Sequence, residues 1–218
     1  MDREARIFCK RNDKPGRRIL CDTRLDSADI SPSGRHLDRW STNYRGQVVL
    51  GSQTITLPPW PDAIPALDDL DTGPMDSELI QLSYQQRTGL TGRYRVLDKI
   101  HGTGSGVITG EMVYGDQVDM KDADQVRYHF PPYLLEALMH LFAFYPAIRN
   151  ENDKWNLIPA QIGEMRFVRT VRPAERLQLA ARLRSQDEQG FTWDARAADE
   201  NGTPIMQVRS MRMNRYNP

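Results

Sequence analysis

The sequence predicts an α+β protein in which an antiparallel sheet wraps around one long apolar helix. Three observations predict it. The run PPYLLEALMHLFAFYPAI, from Pro131 to Ile148, is apolar almost throughout. Four strand-like runs follow it: 158–171, 175–186, 191–200 and 204–216. Short turn sequences of hairpin type, DEQG and DENGTP, separate the last three of these. A helix followed by consecutive antiparallel strands is most simply arranged as a sheet covering that helix.

Leu134, Leu138, Leu141 and Tyr145 form one stripe, and Leu135, Met139 and Phe142 widen it until no clearly polar face remains. A helix that is hydrophobic all round is expected to be buried. Only Glu136 and His140 in this run ionise near neutral pH, and a spacing of four puts them one turn apart on the same face. Burying an unpaired carboxylate is costly, so Glu136 is expected to keep its proton or to find a partner. A carboxylic acid held protonated at neutral pH is what general-acid chemistry requires. The plainer alternative is a local i, i+4 hydrogen bond on a partly exposed flank.

The strand candidates are justified by alternation. In the 175–186 run, Leu177, Leu179, Ala181 and Leu183 share one face, with Arg176, Gln178, Arg182 and Arg184 on the other. Phe191, Trp193, Ala195 and Ala197 share a face in the next. Arg209, Arg212 and Arg215 in the last run read as a solvated strand face. Before the helix, RYRVLDKI (93–100) and GVITGEMVYG (106–115) read as strands joined by the glycine-rich turn HGTGSG. Those glycines are not a nucleotide loop, because strand-like sequence flanks them on both sides, whereas a phosphate loop leads into a helix.

The N-terminal part is organised differently. Residues 1–51 are β-rich, with strand-like runs at 5–11 and 17–25 separated by the turn NDKPG, a polar stretch at 26–46, and then QVVL. Residues 52–88 contain Pro58, Pro59, Pro61, Pro65, Pro74 and several aspartates, and read as an extended linker anchored by Trp60. Residues 89–218 then form one complete domain.

Charge and composition narrow the function classes. Lys plus Arg and Asp plus Glu both total 29 in 218 residues, giving zero formal charge. That balance argues against a nucleic-acid partner held by a basic surface. No apolar stretch reaches the roughly 18–20 residues that span a bilayer, and no apolar signal core opens the chain, so a cytoplasmic protein without membrane contact is expected. Cys9 and Cys21 read as reduced thiols rather than a disulfide. No Cys/His grouping has metal-ligand spacing, so no metal is expected.

Several segments resemble one family. Pro132-Tyr133-Leu134-Leu135-Glu136-Ala137-Leu138-Met139-His140 resembles the P-x-L-L-D-A-x-x-Q/H helix start in the second hotdog of polyketide and polyunsaturated-fatty-acid synthase dehydratases. Glu136 stands at the aspartate position and His140 at the Gln/His position. Ile158-Pro159-Ala160-Gln161-Ile162 resembles the family's L-P-x-x-I strand entry, and 199–204 its last hairpin turn. Gly89 to Arg95 echo its G-x-x-Y-G-P-x-F-R segment, with Thr91 and Arg93 standing in the Tyr-Gly-Pro region.

The resemblance implies a hotdog fold, with residues 1–51 resembling the closing strands of a first hotdog. It implies a dehydratase acting on 3-hydroxyacyl thioesters, borne on the phosphopantetheine arm of an acyl carrier protein, with no tightly bound cofactor. Neighbouring synthase domains and a homodimer or pseudo-dimer of hotdogs are the implied partners. Glu136 would be the general acid and His140 its orienting partner. The family's base is a histidine in an H-x-x-x-G-x-x-x-x-P pattern on the first hotdog, which none of the four histidines here matches. His129, in HFPP, resembles the HFP segment of stand-alone dehydratases and is a further candidate; His36 and His101 lie in turn-like sequence and read as surface residues. Thioester hydrolysis, double-bond isomerisation, or a catalytically silent docking hotdog are the alternatives.

Overall fold

In a computed structural model of the chain, the described residues are 3–12, 18–30, 36–51, 57, 74–85, 95–115, 131–148 and 156–216. They divide into two units, Met1–Thr54 and Ile55–Pro218. The first is a three-stranded antiparallel sheet of β1 (Arg3–Asn12), β2 (Arg18–Ile30) and β3 (His36–Gly51), in that order. Most of the polar stretch 26–46 is therefore strand, and His36 opens β3 opposite Ile30 rather than lying in a turn. Its Asp, Ser and Gly content reads as loop; ladder pairing with β2 overrides that local preference. Cys9 lies opposite Thr23 and Cys21 opposite Arg11, so the cysteines sit on paired strands but are not directly opposed.

The second unit builds a six-stranded antiparallel sheet from β4 (Lys99–Gly104), β5 (Val107–Val113), β6 (Asn156–Phe167), β7 (Arg176–Asp187), β8 (Gly190–Asp199) and β9 (Pro204–Tyr216). Its order is β4-β5-β7-β8-β9-β6, so β6 crosses to the far edge. Helix α1 (Ser77–Ser83) precedes the sheet, and α2 (Pro132–Ile148) enters between β5 and β6. The β4–β5 connection is tighter than the sequence suggests. Gly102 and Gly104 belong to β4, and the turn is Ser105-Gly106 alone, with φ of 50° and 76°. Two positive φ values in a two-residue loop match the twist of a hairpin.

The helix α2 packs on β4, β5, β6, β7 and β8. The register lines up Ile108, Ala181 and Ala195 in one row, and Gly110, Leu179, Ala197 and Met206 in the next. Small residues in these rows let the helix approach closely. A Cβ on Gly110 would lie 2.5 Å from the Lys99 carbonyl oxygen and 3.1 Å from Leu141 Cδ1 of α2. At one end of the core Phe142 stacks on Trp193, with ring centres 5.2 Å apart, while Tyr145 meets the same indole edge-on.

Several sequence expectations need correction. Helix α1 lies inside the stretch read as linker: Asp76 caps it by accepting the Leu79 N–H at 3.0 Å, and Ile80 and Tyr84 are buried in the core. Met75 just before it bridges to Ile100 of β4. The rest of that stretch, Trp60 included, lies outside the described residues apart from Leu57 and Pro74–Gln85. His101 is not a surface residue. It sits within β4, partly buried, with Nε2 2.9 Å from Glu111 Oε1, and Glu111 also meets Arg176. Arg212 and Arg215 are not merely solvated: Arg212 pairs with Asp187, and Arg215 lies over the Phe191 ring.

Candidate active site

Helix α2 starts where its sequence says it should. Pro132 occupies the first helical position, where a missing N–H costs nothing, and the Pro131 carbonyl accepts from Leu134 and Leu135. That start sets the rotation of the helix. Leu134, Ala137, Leu138, Leu141, Phe142 and Tyr145 face the sheet and are buried. Pro132, Glu136, Met139, His140 and Ala143 form the opposite, half-covered stripe.

Glu136 is thus not shut away from water as the apolar run suggests. Its side chain retains 29% of its surface, against 12% for His140. The reason is architectural: one sheet covers one face of a helix, whatever the chemistry of the other face. The pairing expected from the spacing is present, with His140 Nε2 3.0 Å from Glu136 Oε1. His129 and Gly89–Tyr94 lie outside the described residues.

A third residue completes the group. The Tyr84 hydroxyl lies 2.9 Å from His140 Nδ1, so the imidazole is held at both nitrogens. Tyr84 follows α1 directly, its backbone N–H bonding back to Gln81 and Ile80. Its ring meets His140 at 61° and Phe144 at 90°, both edge-on. Burial pushes the phenol well above its usual titration range. Backbone hydrogen bonds at Leu97 and Val96 oppose that rise, and the charges of Glu136 and Asp98 add to it. Tyr84 therefore remains a neutral O–H. Sequence reading missed it because it stands 56 residues from His140, and only a tyrosine ending an otherwise apolar-faced turn hinted at it.

Among the described residues, no three His, Cys, Asp or Glu side chains group as metal ligands, and no helix is long and apolar enough to cross a membrane. An antiparallel sheet packed on one long helix is the arrangement of a hotdog domain. The family model described as the polyketide synthase dehydratase N-terminal domain matches residues 80–218. The chain belongs to that polyketide synthase dehydratase family. The match begins at Ile80, inside α1.

Solved structures agree on the fold. The dehydratase domain from the CurJ module of curacin polyketide synthase matches with a TM-score of 0.70 at 15% identity, over 98% of this chain and 69% of that one. A trans-AT polyketide synthase dehydratase domain from Brevibacillus brevis matches at 0.69 and 9% identity, over 92% of this chain and 69% of that one. The CurK dehydratase matches at 0.63 and 14% identity, over 92% and 68%, in an inactive mutant with asparagine in place of an aspartate. This chain spans about two-thirds of these solved dehydratases, 68% or 69% of each. No curated protein matches it.

Proposed function

We propose that this chain contributes the acid half of a dehydratase site for 3-hydroxyacyl thioesters carried on an acyl carrier protein. The observation that carries the reading is the Glu136–His140 contact, 3.0 Å long, on the half-covered stripe of α2. An acid there is braced from within and open to a substrate from without. Support comes also from the inactive asparagine-for-aspartate mutant of the CurK dehydratase, and from a second inactive CurK mutant with phenylalanine in place of histidine. In that protein, replacing either an aspartate or a histidine gives an inactive mutant.

The proposed reaction is an elimination. A histidine of another hotdog removes the α-proton, and the C–H electron pair becomes the new Cα–Cβ double bond. The Cβ–O bond breaks with its pair on oxygen, and Glu136 gives that oxygen its proton, so water leaves. Glu136 ends as a carboxylate and the base as an imidazolium; transfer of one proton from base to acid restores both. His140 keeps its contact with Glu136 throughout.

The test uses the polypeptide within its synthase and a 3-hydroxyacyl carrier protein, read by mass for loss of water. The parent is expected to dehydrate, and Glu136→Gln to fall by about 10²–10⁴-fold, the usual range for losing a positioned general acid. Turnover that survives Glu136→Gln removes the assignment. A parent that binds carrier protein yet never dehydrates points instead to a silent docking hotdog, the reading favoured by the lack of a family-pattern base histidine in this sequence.

A further inference from the structure

We propose that Tyr84 is the positioning residue of this site: by donating its hydroxyl proton to His140 Nδ1, it fixes the imidazole as the Nε2–H tautomer and aims that single ring proton at Glu136 Oε1. The catalytic consequence rests on the function proposed above; the tautomer assignment does not.

The assignment follows from donor and acceptor inventory. A phenol has one proton, and a neutral imidazole has one N–H and one bare nitrogen. The Tyr84 phenol is buried and stays a neutral O–H, so it brings a proton to its contact with the imidazole. Donation to His140 Nδ1, at 2.9 Å, pairs that proton with a ring nitrogen. Nδ1 must then be the bare nitrogen, and the ring proton sits on Nε2, 3.0 Å from Glu136 Oε1. Burial keeps the phenol protonated, so this donor does not switch off in the neutral range.

The tautomer decides what Glu136 can do. With Nε2–H facing it, Oε1 is an acceptor, and the acid's own proton resides on Oε2, free for a substrate oxygen. As that proton leaves, negative charge grows on the carboxylate and the His140 hydrogen bond strengthens, stabilising the transition state more than the ground state. With the opposite tautomer a bare Nε2 would face Oε1. The acid's proton would satisfy that nitrogen and be withheld from the substrate.

Placement supports a positioning role. Tyr84 is fixed by the last turn of α1, whose Ile80 is fully buried, and by edge contacts with His140 and Phe144. The hydroxyl is thus held by the fold and not by the substrate.

The experiment is a long-range ¹H–¹⁵N correlation spectrum of the full chain labelled with ¹⁵N-histidine, with carrier-protein turnover measured in the synthase. The parent should show His140 as neutral Nε2–H. Tyr84→Phe keeps the ring contacts, and it should shift His140 toward the Nδ1–H or doubly protonated form and lower kcat by up to roughly tenfold, the usual weight of one hydrogen bond, with KM unchanged. An Nδ1–H tautomer in the parent overturns the proposal, and so does an unchanged Nε2–H signal in Tyr84→Phe. The parent spectrum decides the point even where the phenylalanine variant does not fold. Should the tautomer behave as stated while no dehydration is found, the functional reading fails and the Tyr84 assignment stands.

Discussion

Replacing His140 by leucine removes both hydrogen bonds of the imidazole in one step, and the two ends respond differently. Tyr84 is buried to 1% exposure, so its O–H loses its acceptor with no water to replace it. An orphaned buried donor of this kind costs about 1–3 kcal/mol. Glu136 retains 29% of its side-chain surface, so water replaces the lost imidazole there at little cost. Leucine also fills a largely covered position and returns less than about 1 kcal/mol through burial. The net loss is about 1–2 kcal/mol, equivalent to a fall of roughly 2–8 °C in Tm for a chain of this size. The assay is thermal unfolding followed by circular dichroism. His140→Gln should stay close to the parent, because a carboxamide offers an oxygen to the phenol and an N–H to the carboxylate. In a Tyr84→Phe background there is no orphan to create, and the cost of His140→Leu should shrink toward zero, a coupling of about 1 kcal/mol. Equal losses in both backgrounds would refute the bridge between α1 and α2.

Two further outcomes follow from the same geometry. Gly110→Ala places a Cβ against the Lys99 carbonyl oxygen and Leu141, so thermal unfolding should show a loss of about 1–3 kcal/mol as α2 is pushed off β5; an unchanged Tm would mean the sheet yields freely there. Acid stability should depend on Arg169. Its hydrogen bond to Glu175 holds that carboxyl below the usual value of 4.5, against the opposing effect of burial. A depressed folded value means the contribution is complete above pH 4.5 and is lost as pH falls through the lowered value. Urea unfolding at about pH 6 and about pH 3 should show a smaller acid-induced loss in Arg169→Gln than in the parent; parallel losses would remove the pair from the acid response.

The elements set by local pattern were legible, and those set by distant contacts were not. The apolar run at 131–148, the alternation in 175–186 and the turns DEQG and DENGTP each encode a structure within a few residues, and all appear as α2, β7 and two hairpins. The Glu136–His140 contact is also local, since one helical turn brings the two together. HGTGSG misled because glycine content signals freedom without saying which glycine uses it. Gly104 continues the strand, Gly102 sits at a bulge, and only Ser105-Gly106 turns. Tyr84 was invisible because nothing near it in the chain marks its partner. The exposure of Glu136 was misjudged because hydrophobicity describes side chains, while coverage depends on how many layers pack against a helix.

That misjudged exposure matters to the chemistry. An acid sealed inside the core could not reach a substrate hydroxyl, and one in open water would have no fixed neighbour to hold its geometry. The single-sheet arrangement places Glu136 between these extremes. Its helix is anchored on one side by Leu134, Leu138 and Leu141, while its Oε1 is tied to an imidazole that a buried phenol holds from behind. The apolar residues of the open stripe are Pro132, Met139 and Ala143. They share the helix stripe with Glu136 and, like it, are partly covered. In α2 that stripe carries no acidic, basic or imidazole group besides Glu136 and His140.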